Sequence, residues 1–179
     1  MRREEPIVDL ERELAFAVAL ARDARCAAAV DALNLRIDRP GWGVGFARII
    51  GDFYEPSIAD GAPALIFAAE ECGDVVDLVA CRLGDRAAAS RLGIAAALGA
   101  DAIETARHEG RRLLLYGDAL RWAHGGFHGA CIVDWTRTPS LLAEVDDIAC
   151  STAQLASRVH SALSVPVHMP KLSFARRAA

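Results

Sequence analysis

Between residues 112 and 163, three short apolar runs alternate with three segments of helical pattern. This alternation constrains the fold more than any other feature of the chain. The runs are Leu113–Tyr116, 130–134 and Ile148–Cys150. Asp118 is placed to cap a helix over Ala119–His124, which Gly125 and Gly126 end. Thr138-Pro139 opens a second helix with proline in its first turn. Ser151-x-x-Gln154 reads as a capping box for a third, in which Leu155, Val159 and Leu163 recur at helical spacing. Strands joined through helices pair parallel, so the segment predicts a βαβαβα half built on a small, mostly parallel sheet.

Upstream, residues 8–34 read as one long helix. Asp9 caps its start, Glu11 and Glu13 suit the positive end of its dipole, and Leu10, Leu14, Ala17, Val18 and Ala21 share a face. Ala27-Ala28-Ala29 offers a small-sided stretch for close packing, and Arg39-Pro40-Gly41 breaks the helix. Gly41-Trp42-Gly43-Val44-Gly45-Phe46 lacks the preceding strand that a dinucleotide loop needs, and reads as a turn around Trp42 before an extended run from Phe46. Residues 52–63 read as a surface loop. The runs 64–69 and 75–81 form a hairpin, with Leu65, Phe67, Val76, Leu78 and Ala80 on one buried face and Asp77 pointing outward. Two short helices follow, the first stopped by Gly99 and the second opened by Asp101-x-x-Glu104. The expected fold is a single α/β domain over 1–179. It comprises a helical segment (1–38), a loop and hairpin (39–84) that extends the sheet antiparallel, the α/β half (85–165) and a tail (166–179).

A chain of 179 residues is long enough for one domain with a real core and short for two. A net charge of −4 gives no general attraction to phosphate backbones. Lys171, Arg176 and Arg177 make the tail basic, which suits either a solvated end or a small nucleic-acid contact. The five cysteines show no Cys-x-x-Cys spacing, and Cys131 and Cys150 sit in apolar runs. Buried free thiols and a cytoplasmic location are expected, the opening Arg2-Arg3-Glu4-Glu5 being unlike a secretory signal. No window of about 20 apolar residues occurs, so no membrane contact is expected.

Ligands of open α/β sheets bind beyond the carboxyl ends of the strands. Those ends carry Tyr116-Gly117-Asp118, Asp134-Trp135-Thr136 and Cys150-Ser151-Thr152. Asp118 and Asp134 are the candidate carboxylates for a hard cation such as Mg2+ or Mn2+, or else helix caps. Tyr116, Gly117, Trp135, Thr136 and Ser151 are the candidate ligand-binding residues, with the Trp122 and Trp135 rings available for stacking. His124 and His128 are separated by two glycines, so they sit in a turn rather than on one helical face, and a structural zinc wants four ligands. No Gly-x-Ser-x-Gly elbow occurs, and no catalytic residue is assigned.

The run Leu113-Leu114-Leu115-Tyr116-Gly117-Asp118, followed by Gly126 and the strand to Asp134, resembles the opening of a Toprim domain, found in primases, topoisomerases and nucleases. In that family the first strand ends in Glu-Gly, an aspartate follows, and a later strand ends in Asp-x-Asp. Gly117, Asp118 and Asp134 fit this pattern. Tyr116 stands where the family's glutamate would be, and Thr136 where its second aspartate would be. The resemblance implies a degenerate domain without the metal chemistry. The chain is also similar in style to short proteins of bacterial mobile elements such as prophages, some encoded beside replication genes. The expected function is a non-catalytic accessory or interaction protein serving the DNA metabolism of such an element. It would act with a protein partner or a second copy and without a cofactor. The alternatives are a metal-dependent phosphoryl-transfer or nuclease-type enzyme using Asp118 and Asp134, and a small-ligand (nucleotide) binding domain.

Overall fold

A computed structural model describes residues 8–23, 26, 30–35 and 40–164. Helix α1 (Leu10–Ala21) is capped by the Asp9 carboxylate, which accepts from the Arg12 amide at 3.0 Å. It stops at Arg22, so the single helix expected over 8–34 does not form; Cys26 and residues 30–32 are helical again. The Ala27–29 stretch, Arg39 and the basic tail residues lie outside the described residues.

Five strands follow: β1 (Trp42–Ile50), β2 (Phe53–Pro56), β3 (Ala62–Glu71), β4 (Asp74–Arg82) and β5 (Ala88–Ser90). They close into a barrel in the order β1-β2-β5-β4-β3. Closure comes from β1 pairing antiparallel with β3 (Trp42 opposite Phe67) and from a parallel contact between Phe53 of β2 and Ser90 of β5. A second, four-stranded sheet has the order β6-β8-β7-β9, with β6 (Ala97–Leu98), β7 (Leu113–Tyr116), β8 (Ala130–Ile132) and β9 (Ile148–Cys150). Its helices are α2 (Ala100–Glu109), α3 (Ala119–His124), α4 (Thr138–Leu142) and α5 (Ala153–Leu163).

The expected fold class is therefore overturned: the molecule is mixed α/β with a closed five-stranded barrel. The hairpin belongs to that barrel and does not extend the second sheet, and β6 supplies the second sheet's antiparallel edge instead. Residues 52–63 contain β2 and the start of β3 rather than a loop, and β5 and β6 replace the first of the two short helices. Gly99, expected to stop a helix, is the N-cap of α2, and Asp101 makes no capping bond; its carboxylate accepts from the Cys72 amide at 3.5 Å instead.

The hairpin turn is Cys72-Gly73, both at positive φ (54° and 90°), the twist that a two-residue connection requires. Its strands bury both faces. Leu65 and Phe67 sit opposite Cys81 and Val79 and point out of the barrel, where they meet Leu98, Trp122 and Cys131 of the second sheet's layer. Ile66, Leu78 and Ala80 point inward with Ala47, Tyr54 and Ala89, so every barrel strand contributes to the inner cluster. The single buried face expected for Leu65, Phe67, Leu78 and Ala80 is thus two faces. Phe67, Trp122 and Phe127 lock the barrel to the second sheet edge to face, with centroids 5.0–6.3 Å apart.

Helix α1 lies across β1. A Cβ at Gly43 would overlap the Ala17 backbone, so this glycine sets how closely helix and strand approach rather than a turn around Trp42. Asp77, expected to face solvent, is fully buried. One carboxylate oxygen accepts from the Leu78 and Leu92 amides at 2.8 and 2.9 Å. The other accepts from the Ile94 and Ala95 amides at 2.8 and 3.0 Å and from the Ser90 hydroxyl. A buried carboxylate is tolerated because these donors replace its water. Asp77→Ala strands them all and is expected to lower unfolding stability by about 3–5 kcal/mol. Urea unfolding followed by tryptophan fluorescence measures this, and a change below about 1 kcal/mol would contradict the role given to Asp77.

Candidate functional site

Strands β7, β8 and β9 run parallel, with Tyr116 beside Cys131 and Leu115 beside Cys150, so their carboxyl ends do lie side by side. The residues there are mostly occupied by structural bonds. Asp118 caps α3, accepting from the Arg121 amide at 2.9 Å, and its second oxygen lies 3.4 Å from the Arg121 Nε. Asp134 accepts from the amide and hydroxyl of Thr136 at 2.9 and 2.6 Å, which caps the single 3-10 turn Trp135–Arg137. The Trp135 ring is covered by the Arg158 guanidinium 3.7 Å from its centroid. Tyr116 packs into the core with its hydroxyl against Gly125. Gly117 is exposed, with open space where a side chain would stand. Ser151 is exposed, and its amide donates to Leu115. The cap of α5 is its neighbour Thr152, one residue from the expected box. Among the described residues no group of three or more histidines, cysteines or acids is disposed to hold a metal ion. His124 bonds the Leu33 carbonyl at 2.7 Å, while His128 stands exposed in the turn.

Asp118 has an electrostatic effect on its surroundings. Burial, reinforced by the Asp118 charge, pushes the Cys81 thiol up to about 11 and the Cys131 thiol higher still. Cys72, by contrast, is exposed at the hairpin turn. The expectation of buried thiols therefore holds for Cys81 and Cys131, while Cys26 and Cys150 are half-buried.

A large concavity lies elsewhere, at the end of the barrel beside α1. It is a groove of about 1060 Å³ walled by Phe16 and Ala17 of α1, Gly45 and Phe46 of β1, Ile58, and Ile66 of β3. It forms because β1 carries glycine at both Gly43 and Gly45. The first lets α1 lie on the strand, and the second makes room for the Ile66 side chain, which a Cβ there would press at 3.3 Å. Besides Asp9, Arg12 and Ser57, an ion pair and a tyrosine line it. Arg91 and Glu13 form a doubly hydrogen-bonded pair, with Nε and a terminal nitrogen at 3.0 and 3.1 Å from the two carboxylate oxygens. Tyr54, only 2% exposed, comes from the inner face of β2. Burial, with the Glu13 charge adding to it, raises the Tyr54 pKa above its ordinary value, so the hydroxyl stays protonated. None of these residues was singled out as functional from sequence. The available signal was the Gly-x-Gly alternation in an otherwise strand-like run. A smaller hollow of about 320 Å³ is lined by Arg111, Arg112 and His128, but both arginines are already paired, with Glu109 and Asp147.

Compared with protein families, curated proteins and solved structures, the chain matches none. No helix among the described residues is long and apolar enough to cross a membrane.

Two outcomes follow from this geometry. Asp118→Ala and Asp134→Ala each remove a cap and are expected to lower stability by roughly 0.5–2 kcal/mol in denaturant unfolding. At pH 8 a maleimide should modify Cys72 rapidly and leave Cys81 and Cys131 intact until the protein unfolds. A raised thiol pKa keeps the unreactive neutral form in place until the pH approaches about 11 at Cys81. Peptide mapping of the labelled protein reads out both classes.

Proposed function

We propose that this chain is a non-catalytic binding module whose site is the groove at the barrel end beside α1. The observation that carries the reading is the groove itself. It is concave, mainly apolar and about 1060 Å³ in volume, with a small number of converging polar groups. Barrel mouths of this size and character are where small apolar ligands dock. The reading keeps two expectations from the sequence, a non-catalytic interaction protein and a small-ligand binder. It moves the site away from the strand-end crevice at Asp118 and Asp134. Phosphoryl transfer through a Mg2+ or Mn2+ ion would need those two carboxylates, and one oxygen of each already accepts capping hydrogen bonds.

The test uses Nile red, an uncharged dye that fluoresces in apolar surroundings, with the full chain. Saturable binding is expected. Ligand at about a hundred times its dissociation constant should raise the melting temperature by roughly 5–10 °C. Gly45→Leu places a side chain at the groove wall, where a Cβ meets the Ile66 side chain at 3.3 Å and no backbone within 4 Å. It is expected to abolish the dye signal while the circular dichroism spectrum stays native. Dye binding that survives Gly45→Leu would overturn the proposal, as would Mg2+-dependent phosphodiester cleavage lost in Asp118→Ala.

A further inference from the structure

Resting on that reading, we propose that the groove takes a neutral amphiphile. Its apolar body would lie along Phe16, Phe46, Ile58 and Ile66, and an uncharged acceptor oxygen would bond the Tyr54 hydroxyl. Three observations lead there. First, the walls are apolar and in part exposed: Phe16 is 61% and Ile58 78% accessible, large side chains that an occupant would cover. Second, the charges lining the groove balance. Asp9 and Glu13 face Arg12 and Arg91, and the Glu13–Arg91 pair is already doubly bonded and partly buried. A charged head group would lose its water beside this pair and gain no uncommitted counter-charge from it, whereas a neutral one avoids that cost.

Third, Tyr54 lines the groove from the inner face of β2, with its residue almost wholly buried. The groups that act on its hydroxyl, Glu13, Arg91 and Asp77, do so through their charge. Because it remains protonated it is a donor, and the complementary ligand atom is an acceptor: an ester, ketone, amide or alcohol oxygen. A protonated hydroxyl at the wall of an otherwise apolar groove is the kind of group that fixes a ligand's orientation.

Displacement of Nile red by three molecules with the same chain, methyl octanoate, octanoate and octane, tests this on the full-length protein. Methyl octanoate should displace the dye at lower concentration than octanoate. Tyr54→Phe keeps the ring and its packing, so the fold is retained. It should weaken methyl octanoate roughly five- to tenfold, the weight of one neutral hydrogen bond, and leave octane unchanged. Tighter binding of octanoate than of its ester would overturn the inference. An equal loss of octane and ester in Tyr54→Phe would do the same. If none of the three displaces a dye whose binding Gly45→Leu abolishes, the neutral amphiphile is wrong and the groove stands. If the dye binds Gly45→Leu as well as the parent chain, the groove reading itself falls, and the inference with it.

Discussion

The Asp77 carboxylate is the point on which the two halves of the molecule depend. Four backbone amides, at Leu78, Leu92, Ile94 and Ala95, and one hydroxyl, at Ser90, converge on its two oxygens. They wrap the segment between β5 and β6 around a single side chain. Three connections leave from that segment. Arg91 reaches α1 through Glu13, the Ile94 carbonyl accepts from Arg137, and the Ala96 carbonyl accepts from the Val133 and Asp134 amides at the end of β8. Barrel, helix and second sheet are thus registered against one buried anion. An amide side chain could not serve all five donors, because half of its polar surface is itself a donor.

The barrel is small, and small residues make it so. Ala47, Ala64, Ala80 and Ala89 occupy inner positions beside Ile66, Leu78 and Tyr54, so five strands can close without overfilling the interior. The outer face of β3 and β4 is as apolar as the inner one, because the second sheet's layer covers it through Leu98, Trp122 and Cys131. The run Ala64–Ala69 is buried at every position for this reason, and alternation of apolar and polar residues vanishes where both faces are covered. At the barrel end beside α1, the pairing of Gly43 with Gly45 both seats the helix and leaves the groove.

The strand ends of the second sheet show how a residue pattern can fit more than one chemistry. Asp118 and Asp134 occupy the positions where parallel sheets commonly bind ligands, and each is also the first acceptor for a turn that begins there. Capping engages one oxygen of each within three residues in sequence, which is the structural role both play here. The remaining effect of Asp118 is on the buried thiols of Cys81 and Cys131, which its charge helps keep protonated.

What the sequence by itself determined is local. Strands Leu113–Tyr116 and Ile148–Cys150, the Asp118 cap, the Ala119–His124 helix and its glycine stop, the Thr138-Pro139 helix start and the hairpin centred on Gly73 were all legible in it. Each depends on residues a few positions apart, through capping, turn geometry or helical spacing. Tertiary structure alone decided barrel closure, the burial of Asp77 and the groove. Closure rests on β1 meeting β3 and Phe53 meeting Ser90, contacts that no local period encodes. Asp77 looks like an outward residue on an alternating strand until the distant segment 90–95 supplies its donors. Tyr54 and Gly45 look like loop and turn residues until α1 and the barrel end place them around one space. An isolated residue's environment is set by which remote surfaces cover it, and that is fixed only when the strands pair.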